Sequence, residues 1–308
     1  MALEGLHHIT AITADAPSNV DFYARLLGLR MVKKTVNFDQ PDVYHLYYGD
    51  ESGTPGSILT FFEFADAAPG RHGDGMVHTI QWRVAGEDAI AFWEQRLGAA
   101  GVKTERDTGY LRFDDPEGIG NELVAVDVSD APLVAQAPDV PAEHALRGFH
   151  GVRAYGSRPD RSEAVLQALG MEPQETDGVW VSRGSERHAV LRYEQAPQAP
   201  GIQGAGSVHH IAWSVADDTE LDAFRGIVRG AGAHPTPIID RQYFHSVYFR
   251  EPSGVLFELA SRDIGFDVDE PAESLGQDLK LPPQYEAHRA QLVEILTPLP
   301  NPRAEASA

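Results

Sequence analysis

The 308-residue sequence contains no cysteine. That absence excludes both a disulfide framework and a thiolate zinc site. Any metal has to be held by imidazole and carboxylate, donors that suit Fe(II), Mn(II), Ni(II), Co(II) or Zn(II). Long hydrophobic runs are missing too: no stretch of about 18 apolar residues occurs, so no transmembrane helix is predicted. The opening residues, Met1-Ala-Leu-Glu-Gly-Leu-His-His, carry neither a basic n-region nor an apolar h-region, which argues against a secretion signal and for a cytoplasmic protein. Positive charge is scarce, with 25 Lys and Arg against 46 Asp and Glu and a formal net charge of −21. So acidic a surface repels phosphate backbones, and nucleic acid is not an expected partner. The charge names no substrate; its simplest role is solubility.

What the sequence does have is a globular composition, 42% hydrophobic and 23% charged, with length enough for two domains or several repeated units. It also repeats itself. Four segments place a histidine before alternating apolar residues: Leu6-His-His-Ile-Thr-Ala-Ile-Thr, Val77-His-Thr-Ile-Gln-Trp-Arg-Val, Phe149-His-Gly-Val-Arg-Ala-Tyr and Val208-His-His-Ile-Ala-Trp-Ser-Val. Aligned on His8, His78, His150 and His210, they read as strands with one buried face. A helix-like stretch with apolar residues three and four apart follows each, and Gly28, Gly98, Gly170 and Gly230 or Gly232 fall where those helices would stop. Short apolar strands complete a β-α-β-β-β unit, four times over. The expected fold is α+β: two units in an N-terminal domain (1–135), two in a C-terminal domain (145–265), then an extension (266–308). Residues 129–147, rich in Ala and Pro, read as a linker, and the tail from Thr297 as frayed.

Units two and four match further. Asp115-Pro-Glu-Gly-Ile-Gly-Asn-Glu-Leu aligns with Glu251-Pro-Ser-Gly-Val-Leu-Phe-Glu-Leu, which puts Glu122 opposite Glu258. Glu258 sits among Val255, Leu256, Phe257, Leu259 and Ala260, where a buried carboxylate costs several kcal/mol unless it is paired or bound to a metal. Two histidines and one carboxylate make a facial triad that leaves metal positions open for reactants. Three such sets are conceivable: His8, His210 and Glu258; His150, His210 and Glu258; and, as a second or relict cup, His78, His150 and Glu122. Only units one and four read His-His-Ile, at His7-His8 and His209-His210, which favours pairing those two units. Adjacent strand residues point to opposite faces, so one histidine of each doublet is expected to be a ligand and the other an outer group.

These motifs resemble the βαβββ modules of the vicinal-oxygen-chelate superfamily (glyoxalases, extradiol dioxygenases, bleomycin-resistance proteins). Leu6-His-His-Ile-Thr, Tyr44-His-Leu-Tyr-Tyr-Gly-Asp, Gly53-Thr-Pro-Gly, His144-Ala-Leu-Arg-Gly-Phe-His, Val208-His-His-Ile and Ser274-Leu-Gly-Gln-Asp-Leu-Lys are similar, in order, to hydroquinone-type ring-cleaving dioxygenases. The resemblance implies strongly curved mixed sheets, with a metal site between modules one and four held by His8, His210 and Glu258. It implies surrounding roles for His7, Thr10, His209, Arg241 and Tyr248, with His209 and Tyr248 as base and acid and Arg241 stabilising anionic charge. The implied cofactor is Fe(II), with Mn(II) or another divalent metal as the alternative. The implied reactants are O2 and a small aromatic diphenol, and a homodimer is compatible with exposed module edges. Two rivals accompany this reading. One is a glyoxalase-like lyase or isomerase using Glu63 as a second carboxylate, and the other a non-catalytic aromatic-binding protein.

Overall fold

The computed structural model describes residues 2–300, so the expected fraying from Thr297 onward lies mostly outside the described residues. Four units follow one another in β-α-β-β-β order. The first comprises β1 (Leu6–Thr13), helix α1 (Ala16–Val20) running into a π-helical turn (Asp21–Leu26), β2 (Arg30–Val36), β3 (Tyr44–Gly49) and β4 (Ile58–Glu63). In the second are β5 (Met76–Val84), α2 (Glu87–Ala99), β6 (Thr104–Asp107), β7 (Tyr110–Asp114) and β8 (Gly120–Ala125). The third has β9 (Phe149–Tyr155), α3 (Glu163–Ala168), β10 (Glu172–Pro173), β11 (Val179–Arg183) and β12 (His188–Glu194). The fourth has β13 (Ser207–Val215), α4 (Asp218–Gly230), β14 (Ile239–Asp240), β15 (His245–Arg250) and β16 (Leu256–Ser261). A further short helix, α5 (Arg289–Ile295), lies in the extension.

Local chemistry explains the element ends. Asp15 accepts a hydrogen bond from the Ser18 amide, and Asp217 from the Glu220 amide, satisfying free N–H groups at the starts of α1 and α4. Gly28 and Gly170 adopt the left-handed conformation expected of helix-stopping glycines, as does Gly232. Gly98 does not: it lies inside α2, and the left-handed residue after that helix is Gly101. The stretch 129–147 is less a linker than a cover, since Val140 and Leu146 are buried and the Trp93 indole donates to the His144 carbonyl at 2.7 Å.

Two eight-stranded sheets result, ordered β14-β15-β16-β13-β1-β4-β3-β2 and β10-β11-β12-β9-β5-β8-β7-β6. Each sheet takes one unit from each half of the chain: one with four through the antiparallel β1–β13 pair, and two with three through β5–β9. The helices cover the outer faces, α2 on β6 to β8 and α4 on β15 and β16, and the sheets meet along β5 and β13. Trp82, Trp93 and Trp213 are wholly buried in the core. Burying such large rings supplies much of the apolar area that holds the layers together.

Both central strand pairs carry β-bulges. Leu6 pairs with Trp213 and His8 with Ala212, leaving His7 as the extra residue on β1; Thr10 pairs with His210 and Ala11 with Val208, leaving His209 extra on β13. In the other sheet the same shifts leave His78 extra on β5 and His150 extra on β9. The fourfold-repeated histidine is therefore the bulge residue: His7, His78, His150 and His209. Aligning the repeats on His8 and His210 places units one and four one residue out of step with units two and three. Bulges re-aim side chains, so the rule that neighbours face opposite sides fails here.

Candidate metal centre

Three adjacent strands, β1, β13 and β16, bring His8, His210 and Glu258 together. One ligand atom from each lies within 4.8 Å of the others, and all three residues are buried. Glu258 Oε2 is 3.2 Å from His8 Nε2 and 2.9 Å from His210 Nε2, and the two Nε2 atoms are 3.3 Å apart. Glu258 Oε1 accepts from the Ser246 hydroxyl, whereas the fully buried Oε2 has no hydrogen bond. An orphaned carboxylate oxygen facing two imidazole nitrogens is what a divalent cation would satisfy. Burial alone pushes Glu258 up, but the imidazoles of His8 and His210 bring it well below the usual carboxylate range. His210 is pushed down, chiefly by burial. An ionised carboxylate is the state metal binding needs, and a bound cation would take the place of the imidazole protons beside it.

The bulges set the tautomers. His7 Nε2 lies 3.1 Å from the Ser261 carbonyl, an acceptor only, so Nε2 carries the proton. Burial lowers His7 to about 3, so the ring is neutral and its Nδ1 accepts. The 3.0 Å contact between the two Nδ1 atoms then makes His8 Nδ1 the donor, which leaves Nε2 as the atom that would hold a metal in the cup. In the fourth unit His209 Nδ1 lies 2.8 Å from His210 Nδ1. A metal at His210 Nε2 would require that nitrogen bare, and His210 would then donate through Nδ1 to His209 Nδ1. Burial lowers His209 to about 4, so this ring is neutral too.

The cup opens into a cavity of about 370 Å³. Phe38, Phe62, Phe64, Phe244 and Leu256 give it apolar walls, while Thr10, His209, Arg241 and Tyr248 line it from the polar side. Arg241 Nη1 is 3.0 Å from Asp39 Oδ2, and its Nε donates to the Tyr248 hydroxyl at 3.3 Å. Burial would lower Arg241, but Tyr248 and Asp39 raise it, so it is a fixed cation. Tyr248 is pushed up chiefly by burial and keeps its proton. Among the lining residues to which the sequence reading gave no role are His45 and Tyr47. Tyr47 Oη lies 2.8 Å from His45 Nδ1, His45 Nε2 lies 2.9 Å from Thr60 Oγ1, and Thr60 donates to Thr10 at 2.9 Å. The sequence signals for His45 were its place in a buried apolar strand and in the Tyr44-His-Leu-Tyr-Tyr-Gly-Asp motif, neither of which gave it a role.

The proposed second cup is differently furnished. Thr79 pairs with Arg153 as His210 pairs with Thr10, and Gly151 pairs with Gln81 as His8 pairs with Ala212. Thr79 and Gly151 thus stand where the first sheet has its two ligand histidines. Glu122 does match Glu258, but Arg112 and Arg153 bind its Oε2, the latter at 2.8 Å, and Gln81 binds Oε1. His78 lies instead 3.3 Å from Glu194 and stacks on Tyr155. His78, His150 and Glu122 do not converge; among the described residues His8, His210 and Glu258 are the one such cluster. Gly151 is also tightly covered, for a Cβ there would lie 2.1 Å from the Val190 carbonyl oxygen. Glu63, the rival second carboxylate, pairs with Thr13 at the far end of β1 and accepts from the Ala16 amide at 3.1 Å.

The glyoxalase/bleomycin resistance protein/dioxygenase superfamily model matches residues 5–123 and 148–259. The chain is 41% identical to MhqO of Bacillus subtilis, named as a candidate ring-cleaving dioxygenase, over 96% of each protein. It is 35% identical to a chlorohydroquinone/hydroquinone 1,2-dioxygenase of Sphingobium indicum, again over 96% of each. A crystal structure of a candidate dioxygenase from B. subtilis superposes with a TM-score of 0.90 at 39% identity, covering 97% of this chain and 98% of the other. Maize glyoxalase I, at 14% identity and a TM-score of 0.58 over 84% of this chain and 92% of its own, shares the fold alone. This chain belongs to the glyoxalase/bleomycin resistance protein/dioxygenase superfamily.

Proposed function

We propose that this protein is a ring-cleaving dioxygenase that holds Fe(II), or alternatively Mn(II), through His8, His210 and Glu258 and opens a hydroquinone or catechol with O2. One observation carries the reading: a buried His-His-Glu cup with an orphaned carboxylate oxygen opens directly onto an aromatic-walled cavity that holds a fixed guanidinium. When bound, such a metal supplies a site where a phenol oxygen and O2 react side by side.

The chain's own groups do the rest. Phe62, Phe64 and Phe244 sandwich a flat ring and exclude water. Arg241 stabilises negative charge on the ring oxygen, which eases loss of the phenol proton. His209 and Tyr248 both line the cavity beside the cup. We assign the neutral His209 imidazole to taking the phenol proton and Tyr248, through its retained hydroxyl proton, to protonating the oxygen that departs. Thr10 adds a hydroxyl fixed by Thr60. Among the described residues no helix is long and apolar enough to cross a membrane. A cytoplasmic location and a small diphenol as partner, without nucleic acid, complete the proposal, and a homodimer is compatible with it. Its test is anaerobic reconstitution with Fe(II) followed by oxygen uptake with substituted hydroquinones and catechols. Uptake is expected for at least one; none with any diphenol overturns the reading.

A further inference from the structure

The turn that delivers Arg241 is not held by the four units alone. Residues 240–244 join β14 to β15, with the Tyr243 amide donating to the Arg241 carbonyl at 2.8 Å and the Arg241 amide to the Phe244 carbonyl at 3.0 Å. Inside it, Gln242 has φ +66°, alone among the described non-glycine residues in being positive. A side chain in that conformation persists only where its surroundings enforce it. The turn sends Arg241 into the cavity and packs Phe244 on the His7 and His8 rings, at centroid distances of 5.1 and 4.9 Å.

The enforcing group is Asp269, in the extension beyond the fourth unit and beyond the residues matched by the family model. Its Oδ2 accepts from the Gln242 side-chain amide at 2.7 Å and from the Tyr243 hydroxyl at 2.9 Å. Its Oδ1 accepts from Lys33 Nζ at 2.6 Å. The simplest alternative role is neutralising the fully buried Lys33, but Glu270 already contacts that ammonium. Glu270 also lies 4.0 Å from Lys280, so two ammoniums face two carboxylates; what sets Asp269 apart is that its second oxygen holds the Gln242 and Tyr243 side chains.

We propose that Asp269 is a positioning residue for Arg241, clamping the left-handed turn at Gln242 so that the guanidinium stays against Tyr248 and faces the cavity. The role assigned to Arg241 rests on the dioxygenase reading; the clamp itself does not. The test compares Asp269→Asn with Asp267→Asn, an exposed carboxylate two residues away, both in the Fe(II)-loaded full-length protein. Asp269→Asn should speed backbone hydrogen exchange across residues 239–248, and Asp267→Asn should not. It should also raise KM for hydroquinone roughly tenfold, keep kcat within about twofold and leave the bound metal unchanged. In an Arg241→Gln background the same change should alter kcat/KM by less than about twofold, because its effect passes through Arg241. Unchanged exchange, or a full KM effect in the Arg241→Gln background, overturns the proposal. Should the wild type turn over no diphenol, the dioxygenase reading fails while the exchange comparison still decides the clamp. If Asp269→Asn does not fold, Tyr243→Phe removes one clamping bond and should speed exchange in the same segment, and no change there overturns it.

Discussion

Replacing Glu258 with Gln keeps the shape of the side chain and removes the only carboxylate of the cup. In the wild type, metal at about 100 times its Kd stabilises the native state by about 2.7 kcal/mol. For a chain of this size that is a rise in Tm of roughly 5 °C, at about 2 °C per kcal/mol. Disturbing an outer partner of a metal ligand already costs about 10- to 100-fold in affinity, and losing an anionic ligand costs at least the upper figure. At the same free metal the ratio of concentration to Kd then falls from about 100 to about 1. The remaining stabilisation is about 0.4 kcal/mol, or less than about 1 °C. Thermal melts of Glu258→Gln and wild type, each with chelator and with Fe(II) under argon, measure the difference directly. Glu122→Gln is the matched control, since Glu122 is engaged by Arg112 and Arg153, and its metal-induced shift should equal that of the wild type. A Glu258→Gln protein that gains as much from Fe(II) as the wild type would refute the assignment.

Other consequences follow from the same geometry. His7→Phe should weaken Fe(II) binding about 10- to 100-fold by titration, because His8 loses the neighbour that fixes its tautomer. Binding equal to wild type would sink the tautomer argument. Arg241→Lys should raise KM for hydroquinone roughly tenfold with unchanged metal content, since an ammonium cannot reproduce contacts to both Tyr248 and Asp39. An unchanged KM would remove Arg241 from substrate binding. Burial lowers His150 from 6.5 to about 4, so its neutral form is favoured in the fold; the stabilisation is complete above pH 6.5 and is lost as pH falls towards 4. Chemical denaturation of metal-free protein at pH 7 and pH 4 should show His150→Gln losing about 2 kcal/mol less between them than wild type. Equal losses would contradict it.

The four-unit plan was legible because amphipathic alternation and helix stops recur in sequence, and the His-His-Ile doublets marked which units share a sheet. The alignment slipped by one residue for a physical reason. A bulge inserts one residue without disturbing the apolar alternation on either side, so His78 and His150 look like ligands when they, like His7 and His209, are the bulges. The second cup inherited that error. Residues such as Lys33 and Asp269, 236 positions apart, meet only because the extension folds back on the first unit, and no local pattern announces that. His45 went unread for a similar reason: its partners Tyr47, Thr60 and Thr10 lie on three strands whose order is a tertiary fact.

The backbone that crowds Gly151 makes the difference between the two sheets a one-way door. Any side chain there would need β12 to retreat, because the Val190 carbonyl oxygen stands 2.1 Å from where a Cβ would sit and the carbonyl carbon 2.8 Å. Building a ligand set in the second sheet would take more than replacing Thr79 and Gly151 by histidine; a neighbouring strand would have to be rebuilt around them. An engineered two-metal form would be reached only by way of a looser sheet.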